Sequence, residues 1–335
     1  MFDYRIATLG SHTALQILKG ARDEGFQNIC VCRKDRVKPY KNFGVADEII
    51  TIDSYKDFPK VENELIKKKA IIIPHASFIE YVGIKYIEKL KVGYFGNKEI
   101  LKWESDRRME ERWLRNSNLR TPLIFKDPAE IDRPCIIKFY GAKGGKGYFI
   151  ANSELDFRSK MAVHPVDKYV IQEYIVGVPM YIHYFYSSLT GELEIMSFDK
   201  RYESNVDSIG RISARDQSSF TNVDPSYVVV GNVPLVLRES LLTEVIEMGE
   251  RVVRESKKIT KSSLFGPFCL ETVLTPDQEF YVFEISARIV AGTNPFINGS
   301  PYTHLKYNKP MSTGRRIALE IRRAIEQKRL NEVLG

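Results

Sequence analysis

Residues 135–152 read CIIKFYGAKGGKGYFIAN: one apolar run ends at Lys138, a loop of glycines and lysines follows, and a second run begins at Tyr148. Glycines let a backbone approach a polyphosphate and aim its N–H groups at the oxygens, and lysines add positive charge. No GxxxxGK[ST] is present and a strand follows the loop, so this is neither a Walker loop nor a dinucleotide fingerprint. The pattern indicates either a phosphate-binding hairpin or a flexible hairpin with solvated lysines. The candidate phosphate-binding residues are Lys138, Gly141, Lys143, Gly144, Gly145, Lys146 and Gly147.

The next candidate is the strand end in VIQEYIVG, which carries Gln172, Glu173 and Tyr174. A strand end of this kind can offer backbone groups and a carboxylate to an adenine and a ribose. An ordinary strand end at the surface has the same pattern, and both interpretations stay open.

A pair of carboxylates lies further along the chain, with Glu271 in FCLETVL and Glu284 in YVFEIS. A turn at Thr275–Gln278 separates the two runs, so they read as an antiparallel hairpin in which the two glutamates can face each other. Carboxylates on rigid strands suit Mg²⁺ bound together with phosphate oxygens. The alternative is two charges on the polar face of the hairpin. Arg288 follows four residues after Glu284 and can meet a transferring phosphoryl group.

Strands and helices alternate over about the first 95 residues, which predicts a small parallel α/β layer. Ligands of such sheets bind at the carboxyl ends of the strands. Two segments fall there: Gly10-Ser11-His12-Thr13 after the first strand and Pro74–Ser77 after the fourth. Residues 10–13 precede a helix N-terminus, which suits a phosphate. His12 can equally be a helix cap or a surface histidine.

Strand-like runs dominate after Pro134, interrupted by one long helix over Arg238–Lys257 and followed by another near Arg315–Lys328. This pattern of strands and helices predicts an α+β fold with a large antiparallel component. We place the domain change after residue 97, giving domains 1–97 and 98–335. His183, in an alternating run, reads as a core histidine without an assignable partner, and His75 either lines the same site as Ser77 or flanks it.

Composition narrows the class of protein. The chain has 335 residues, 43% of them hydrophobic, which suggests roughly two globular domains. Four scattered cysteines without a CxxC pair argue against a disulfide scaffold and a structural zinc site. Neither a leader segment nor an apolar run of about 20 residues is present, so we expect a cytoplasmic protein with no membrane partner. The net charge of +7 comes without an aromatic-interleaved basic motif, so nucleic acid is not an expected partner.

The order of these features resembles the ATP-grasp superfamily. The resemblance implies an N-terminal parallel α/β (preATP-grasp) domain followed by an ATP-grasp domain, whose two α+β subdomains hold ATP between them. It also implies an acyl phosphate that a nucleophile attacks. The family pattern Glu-x-Asn-x-Arg corresponds to Glu284-Ile285-Ser286-Ala287-Arg288, with Ser286 in place of Asn.

The resemblance narrows to the archaeal formate-dependent FAICAR synthetases, the PurP family. It rests on GSHTALQILKGARDEGF, YFGNKEILKWESDR, GAKGGKGYF, DKRYESNVDSIGRI, GPFCLE, FEISARIVAGTN and NGSPYT, which span residues 10–303. It implies the reaction formate + ATP + AICAR → FAICAR + ADP + phosphate through formyl phosphate, with Mg²⁺ or Mn²⁺ as the metal, in a homo-oligomer.

The same resemblance assigns roles to individual residues. It places His12, Ser77 and Asn232 on AICAR, with Gly10, Ser11 and Thr13 beside them, and Glu203 on ATP. It makes Glu271 and Glu284 the metal ligands. From the residues themselves, we expect Arg288 to offset charge as formate attacks the γ-phosphorus, and His12 is a candidate base for the attacking amine if the geometry allows. Two alternatives remain: an ATP-grasp paralogue using another carboxylate or amine, and a nucleotide-binding regulator without turnover.

Overall fold

The computed structural model describes residues 2–139, 147–163, 166, 168–202, 206–220 and 229–335, with residues 206–208 described by their backbone alone. Three sheets organise this part of the chain: a five-stranded sheet near the N-terminus, a four-stranded sheet in the middle, and a second five-stranded sheet. Within these ranges, no helix combines the length and the apolar character that crossing a membrane requires.

The first sheet is wholly parallel, in the order β3-β2-β1-β4-β5. Its strands are nearly continuous apolar runs because helices cover the sheet, as parallel sheets require. The predicted α/β layer is therefore confirmed. Its strands are β1 Arg5–Leu9, β2 Asn28–Arg33, β3 Glu48–Ile52, β4 Ala70–Ile72 and β5 Gly93–Tyr94. Its helices are α1 Ala14–Asp23, α2 Val37–Asn42, α3 Glu62–Lys67, α4 Ala76–Val82 and α5 Ile84–Ile87.

Two short helices, α6 Ile100–Ser105 and α7 Arg107–Asn116, lead out of this layer. Asp106 separates them in an extended conformation, and its side chain caps α7 by accepting hydrogen bonds from the N–H groups of Arg108 and Met109. A side chain that satisfies the first free N–H groups begins a new helix rather than continuing an old one. The carboxyl-terminal end of α6 and the start of α7 lie against the second five-stranded sheet.

The four-stranded sheet has the order β6-β9-β7-β8 with antiparallel pairing throughout. Its core contains Ile137, Phe157 and Ile171. The elements are β6 Ile124–Phe125, β7 Cys135–Phe139, β8 Tyr148–Ala151, α8 Glu154–Val163 and β9 Tyr169–Glu173.

The second five-stranded sheet is antiparallel, in the order β12-β11-β10-β13-β14. The helix predicted from Arg238 begins at Leu242, because a short 3₁₀ turn, Glu239–Leu241, precedes it. One face of the sheet packs on that helix, and the other carries polar side chains. The elements are β10 Val178–Tyr186, β11 Leu193–Tyr202, α9 Ala214–Gln217, β12 Gly231–Leu235, α10 Leu242–Ile259, β13 Gly266–Leu274, β14 Phe280–Ser286, α11 Pro301–Tyr307 and α12 Thr313–Glu326.

Among the described residues, several contacts join the parallel layer to the antiparallel sheet. Helices α1 and α12 meet where Gly20 lies against the backbone of Gly314, a contact too close for a Cβ. The backbone of His75 bridges that of Ile289, just after β14. The N–H group of Gly335 donates to the carbonyl of Tyr94 at 2.9 Å. These contacts bring the carboxyl ends of β1 and β4 close to the polar face of the antiparallel sheet.

Candidate functional site

The polar face of the antiparallel sheet gathers charged side chains from four adjacent strands. Tyr181 of β10 lies opposite Asp199 of β11 on one side and opposite Glu271 of β13 on the other, and Glu271 lies opposite Glu284 of β14. Arg201 follows two residues after Asp199. Since directly opposed residues point to the same face, these five side chains form one polar row. The facing of the two glutamates, predicted from the hairpin, is confirmed.

The two glutamates of the row have unequal surroundings. Glu271 is buried, and its Oε1 lies 2.7 Å from the Arg201 guanidinium, which stacks 3.8 Å above the Tyr181 ring. Glu284 is exposed to the cleft and has no hydrogen-bond or ion-pair partner among the described residues. The charge of Glu271 beside it, and then its removal from bulk water by the surrounding walls of the cleft, raise the pKa of Glu284 to about 7. A pair of this kind attracts a cation.

Two more glutamates approach the row from the helices. Glu110 of α7 accepts a hydrogen bond from the Ile285 N–H at 2.8 Å. Burial, and then the charge of Glu284, raise the pKa of Glu110 to about 9. Glu104 of α6 accepts from the Ala287 N–H at 2.9 Å and pairs with Arg288 at 2.8 Å. The guanidinium of Arg288 is therefore held at the end of β14 by Glu104.

A cleft of about 390 Å³ lies between β14, the four-stranded sheet and helices α6 and α7. Lys138, at the end of β7, enters it, and its Nζ lies 5.8 Å from the centre of the Phe283 ring. Burial lowers the pKa of Lys138. Gln172 lines the same cleft, so the structure brings Lys138, Gln172 and Glu284 together.

Glu173 and Tyr174 lie differently from Gln172. The carboxylate of Glu173 accepts from the Leu123 N–H at 3.1 Å and pairs with Arg133 at 3.2 Å. The side chain of Tyr174 is exposed and does not line the cleft. Alternation along β9 explains the position of Glu173, because neighbouring side chains of a strand point to opposite faces. Tyr174 follows the last residue of the strand.

Much of the predicted phosphate-binding loop cannot be placed relative to this cleft. Gly147 is described: it has a positive φ of 77°, and its carbonyl accepts a hydrogen bond from the Phe139 N–H at 2.9 Å. Six other predicted ATP-binding residues lie outside the described residues, namely Gly141, Lys143, Gly144, Gly145, Lys146 and Glu203.

The segments after β1 and β4 meet across the top of the parallel sheet. The hydroxyls of Ser11 and Ser77 are hydrogen-bonded at 2.9 Å, and the Tyr55 hydroxyl donates to the Gly10 carbonyl. His75 donates from Nε2 to the Leu9 carbonyl at 3.0 Å, and burial lowers the pKa of His75 to about 4, so the ring is neutral. The arrangement forms a polar platform at the site where the open-sheet rule predicts a ligand.

Thr13 and His12 complete this platform. Thr13 is buried, and its hydroxyl has no hydrogen-bond partner among the described residues. His12 is exposed, and its backbone carbonyl accepts from the Asn294 amide at 3.1 Å. Partial burial, and then the charges of Arg288 and Arg201, lower the pKa of His12. His12 thus lies close to two arginines of the polar face and links the platform to the row.

Asn232 of β12 belongs to the same face, because it lies opposite Arg201 in the sheet register. Its amide donates to Asp199 at 2.7 Å, and the other oxygen of Asp199 lies 2.7 Å from Nε2 of His183. The structure thereby supplies the partner that the sequence left open for His183.

Four charged residues of the site were missed from the sequence: Glu104, Glu110, Asp199 and Arg201. Glu104 and Glu110 belong to a stretch rich in charge, where nothing distinguishes a buried acid from a solvated one. Asp199 and Arg201 stand in DKRYESN, a segment identified by its resemblance alone. Within the described ranges, no three acidic, histidine or cysteine side chains converge closely enough to hold a metal ion by themselves.

Comparison with known proteins gives two family matches. The family described as "Domain of unknown function (DUF1297)" matches residues 154–335, and that described as "Protein of unknown function (DUF1246)" matches residues 6–125. The chain is 58% identical to the 5-formaminoimidazole-4-carboxamide-1-(beta)-D-ribofuranosyl 5'-monophosphate synthetase of Pyrococcus horikoshii, over 98% of this chain and 99% of that one.

Two solved structures have similar folds. A crystal structure of an IMP biosynthesis protein, PurP, from Thermococcus kodakaraensis superposes with a TM-score of 0.76 and 28% identity, over 98% of this chain and 100% of that one. The ADP complex of purK, an N5-carboxyaminoimidazole ribonucleotide synthetase, superposes with a TM-score of 0.69 over 96% of this chain and 77% of that one. At 16% identity the second likeness shows a shared fold alone.

Proposed function

The chain belongs to the family of 5-formaminoimidazole-4-carboxamide-1-(beta)-D-ribofuranosyl 5'-monophosphate synthetases, and we propose on that basis that it converts AICAR to FAICAR with formate and ATP. It is an enzyme, an ATP-dependent ligase with the ATP-grasp fold, and the reaction belongs to the synthesis of IMP. Formyl phosphate is the proposed intermediate, and ADP and phosphate are the proposed by-products.

One observation supports the proposal: the polar row adjoins two different surfaces, the cleft at Glu284 and the platform near Arg201. On one side is the cleft with Lys138 and Gln172, which suits the phosphates of ATP. On the other is the platform of residues 10–13 and Ser77, which suits a nucleotide phosphate. A ligase that transfers a phosphoryl group to formate and then a formyl group to AICAR needs both surfaces beside one reacting centre.

The donor set of the row fits a divalent cation. Glu284 lacks a partner among the described residues and is repelled by Glu271, so a cation there would remove an unfavourable interaction. Two carboxylates on neighbouring strands, completed by phosphate oxygens, match the hard oxygen ligands of Mg²⁺ or Mn²⁺. Ser286 stands where the family pattern has Asn, so the proposed protein ligands are Glu271 and Glu284. A cation bound there would neutralise charge that develops on the β- and γ-phosphates.

The side chains around the row act by positioning and by electrostatics. Lys138 faces the phosphate chain from the cleft, and the loop 141–147 is assigned to the same phosphates from its sequence. Glu104 holds the guanidinium of Arg288 where the attacking formate and the γ-phosphoryl group would meet, so Arg288 can offset the charge of the transition state. No covalent bond to the protein is required, because phosphoryl transfer is governed by alignment and charge.

The platform is assigned to AICAR, the nucleotide that accepts the formyl group. Ser77 and residues 10–13 are assigned to the nucleotide, and His12 lies close to the two arginines of the polar face. The lowered pKa of His12 keeps the imidazole neutral at pH 7, so it can accept a proton from the attacking amine. The proposed assembly is a cytoplasmic homo-oligomer, with residues 1–97 and 98–335 as its domains.

Turnover tests the proposal directly. The purified chain is given ATP, Mg²⁺, AICAR and labelled formate, and both label in the nucleotide and release of ADP are counted. We expect labelled FAICAR with about one ADP per product. ADP without labelled FAICAR would indicate another acid or acceptor, and tight AICAR binding without either product would indicate a regulator.

The variant Glu284→Gln tests the row. It keeps the shape of the side chain and removes its charge, so we expect turnover to fall roughly hundredfold or more, the several kcal/mol that a catalytic cation supplies. Glu279→Gln, just before the same strand, is the matched control and retains activity. Equal turnover of the two variants would exclude Glu284 from the reacting centre.

A further inference from the structure

A fully buried carboxylate on the polar face has both of its oxygens occupied. Asp199 lies 2.7 Å from Nε2 of His183 through Oδ1, and 2.7 Å from Nδ2 of Asn232 through Oδ2. An uncompensated carboxylate at this depth would be costly, so these two hydrogen bonds hold Asp199 and its partners in one arrangement.

This carboxylate decides which way the Asn232 amide faces. A carboxylate oxygen accepts hydrogen bonds and donates none, so the atom of Asn232 next to Asp199 must be the amide nitrogen. The amide oxygen Oδ1 then points away from Asp199, and it has no partner among the described residues. Asn232 therefore presents an acceptor, not a donor, to whatever lies above the sheet.

The position of Asn232 places that acceptor beside the reacting centre. Asn232 lies opposite Arg201, and Arg201 pairs with Glu271. The segment 291–296 covers Asp199 and His183 at Gly292, where a Cβ would overlap the carboxylate. Two residues further on, Asn294 holds the backbone carbonyl of His12. The acceptor thus lies beside the Arg201 end of the row, and segment 291–296 connects this end to the nucleotide platform.

We propose that Asp199 is a positioning residue that locks the Asn232 amide with its oxygen toward the acceptor nucleotide, which must present an N–H group there. The inference rests on the proposed function, which makes AICAR that nucleotide. AICAR carries N–H donors on its 5-amino and 4-carboxamide groups, so the locked amide selects a substrate with a donor at this point. Asp199 itself does not touch the substrate.

A merely structural role for Asp199 would affect folding and all substrates alike, so the test separates the substrates. In Asp199→Asn the new amide can donate to Asn232 and turn its oxygen inward. We expect kcat/KM for AICAR to fall roughly tenfold to hundredfold, the range for a mismatched buried polar pair. The KM for ATP should stay unchanged. Asp277→Asn, at the exposed turn between β13 and β14, is the matched control.

Rescue gives the decisive measurement. In the double variant Asp199→Asn/Asn232→Asp the two groups exchange roles. The amide introduced at position 199 would accept from His183 through its oxygen and donate to the new carboxylate at position 232, whose second oxygen again faces the substrate as an acceptor. We expect this double variant to recover most of the lost kcat/KM for AICAR. Should Asp199→Asn fail to fold, Asn232→Ala at its half-buried position must show the same selective loss.

Each outcome decides the question. A wild-type chain that does not formylate AICAR overturns the proposed function and this inference together. Wild-type turnover with Asp199→Asn no different from Asp277→Asn overturns the inference alone. So does an equal rise of both KM values, or a double variant no better than the single ones, because each indicates a structural role.

Discussion

Glu110 is a buried acid whose pKa depends on the other charges of the cleft. Its pKa is raised from an ordinary 4.5 to about 9, first by burial and then by Glu284. The native state therefore binds a proton over a window in which the unfolded chain has released it. By linkage, the stabilising contribution of the protonated group is full at low pH and is lost as the pH rises from about 4.5 toward 9.

The first prediction follows from this loss of stability with rising pH. In metal-free buffer, Glu110→Gln mimics the protonated acid and keeps an oxygen for the Ile285 N–H, so its free energy of unfolding should fall less between about pH 5.5 and 8.5 than that of the wild type. Urea denaturation at several pH values measures both slopes. Glu111→Gln, the neighbouring acid paired with Arg115, is the control and should follow the wild type. Parallel slopes for all three proteins would contradict the pKa assigned to Glu110.

At the scale of single residues, the sequence predicted contacts between residues that are close in the chain, and it did not predict contacts between distant ones. The facing of Glu271 and Glu284 follows from one hairpin, and the structure confirms it. Arg201 and Glu104 were not found, because their partners are distant in the chain: Arg201 meets Glu271 across 70 positions, and Glu104 meets Ala287 across 183. The roles assigned to the site residues stay predictions until variants are measured.

At the scale of elements, the 3₁₀ segment Ala291–Phe296 links two parts of the site. Gly292 lies against Asp199 and His183, while Thr293 and Asn294 accept hydrogen bonds from Gln16 of α1 at 2.7 and 2.9 Å. One short segment therefore fixes both the buried carboxylate and the start of the helix that follows the nucleotide platform.

The variant Gly292→Ala should disturb both the Asp199 carboxylate and the start of helix α1. A Cβ there overlaps the Asp199 carboxylate, and overpacking in a filled interior typically costs about 1–3 kcal/mol. We expect lower stability in denaturant together with a raised KM for AICAR. Gly210→Ala, where a Cβ would meet open space, is the control. An alanine tolerated at 292 as well as at 210 would mean that the segment can shift away from the sheet.

Element boundaries were predicted less well than element types. The stretch Lys98–Asn116 reads as one charged helix, yet Asp106 divides it by capping the second half. The stretch Phe78–Leu90 also reads as one helix in the sequence, but the structure divides it at Gly83, whose φ of 83° is unsuited to a continuing helix. A capping side chain and a glycine each offer an alternative to the helical conformation, and packing decides between the two.

At the scale of the molecule, helix α12 packs on α1 of the parallel layer and is held to the antiparallel sheet by a buried cluster of charges. Arg316 is fully buried, lies 2.9 Å from Glu194 of β11 and 2.8 Å from Glu320, and stacks 4.0 Å above the Phe185 ring. Removing one partner from a buried cluster leaves the other charges uncompensated.

Arg316→Met should therefore lower the free energy of unfolding by about 3–5 kcal/mol, far more than a surface ion pair contributes. Arg158→Met, which removes an exposed pair with Glu154, is the matched control and should leave the stability almost unchanged, because water and salt screen that pair. Urea denaturation of both variants measures the difference. A loss at Arg316 no larger than at Arg158 would show that the cluster is not needed to hold α12.

The division into a parallel layer and an antiparallel sheet was predictable, since alternating elements and runs of strands have distinct patterns. The interface that joins these two parts was not predictable. It depends on a helix–helix contact between α1 and α12, where Gly20 and Gly314 allow the backbones to approach. Neither glycine carries a local signal, because each is required by the backbone of the facing helix and not by its own neighbours in the chain.

That joint has a consequence for the order in which the chain is made. The N-terminal sheet comes off the ribosome early, but α12 reaches α1 only after residue 313, and the strand at Tyr94 gains its hydrogen bond from Gly335 later still. Until then the side of α1 that packs on α12 stays uncovered. This surface of the N-terminal layer therefore stays exposed while more than half of the chain is synthesised. Slow translation or a stalled ribosome would prolong the exposure, and chaperones could then bind the surface.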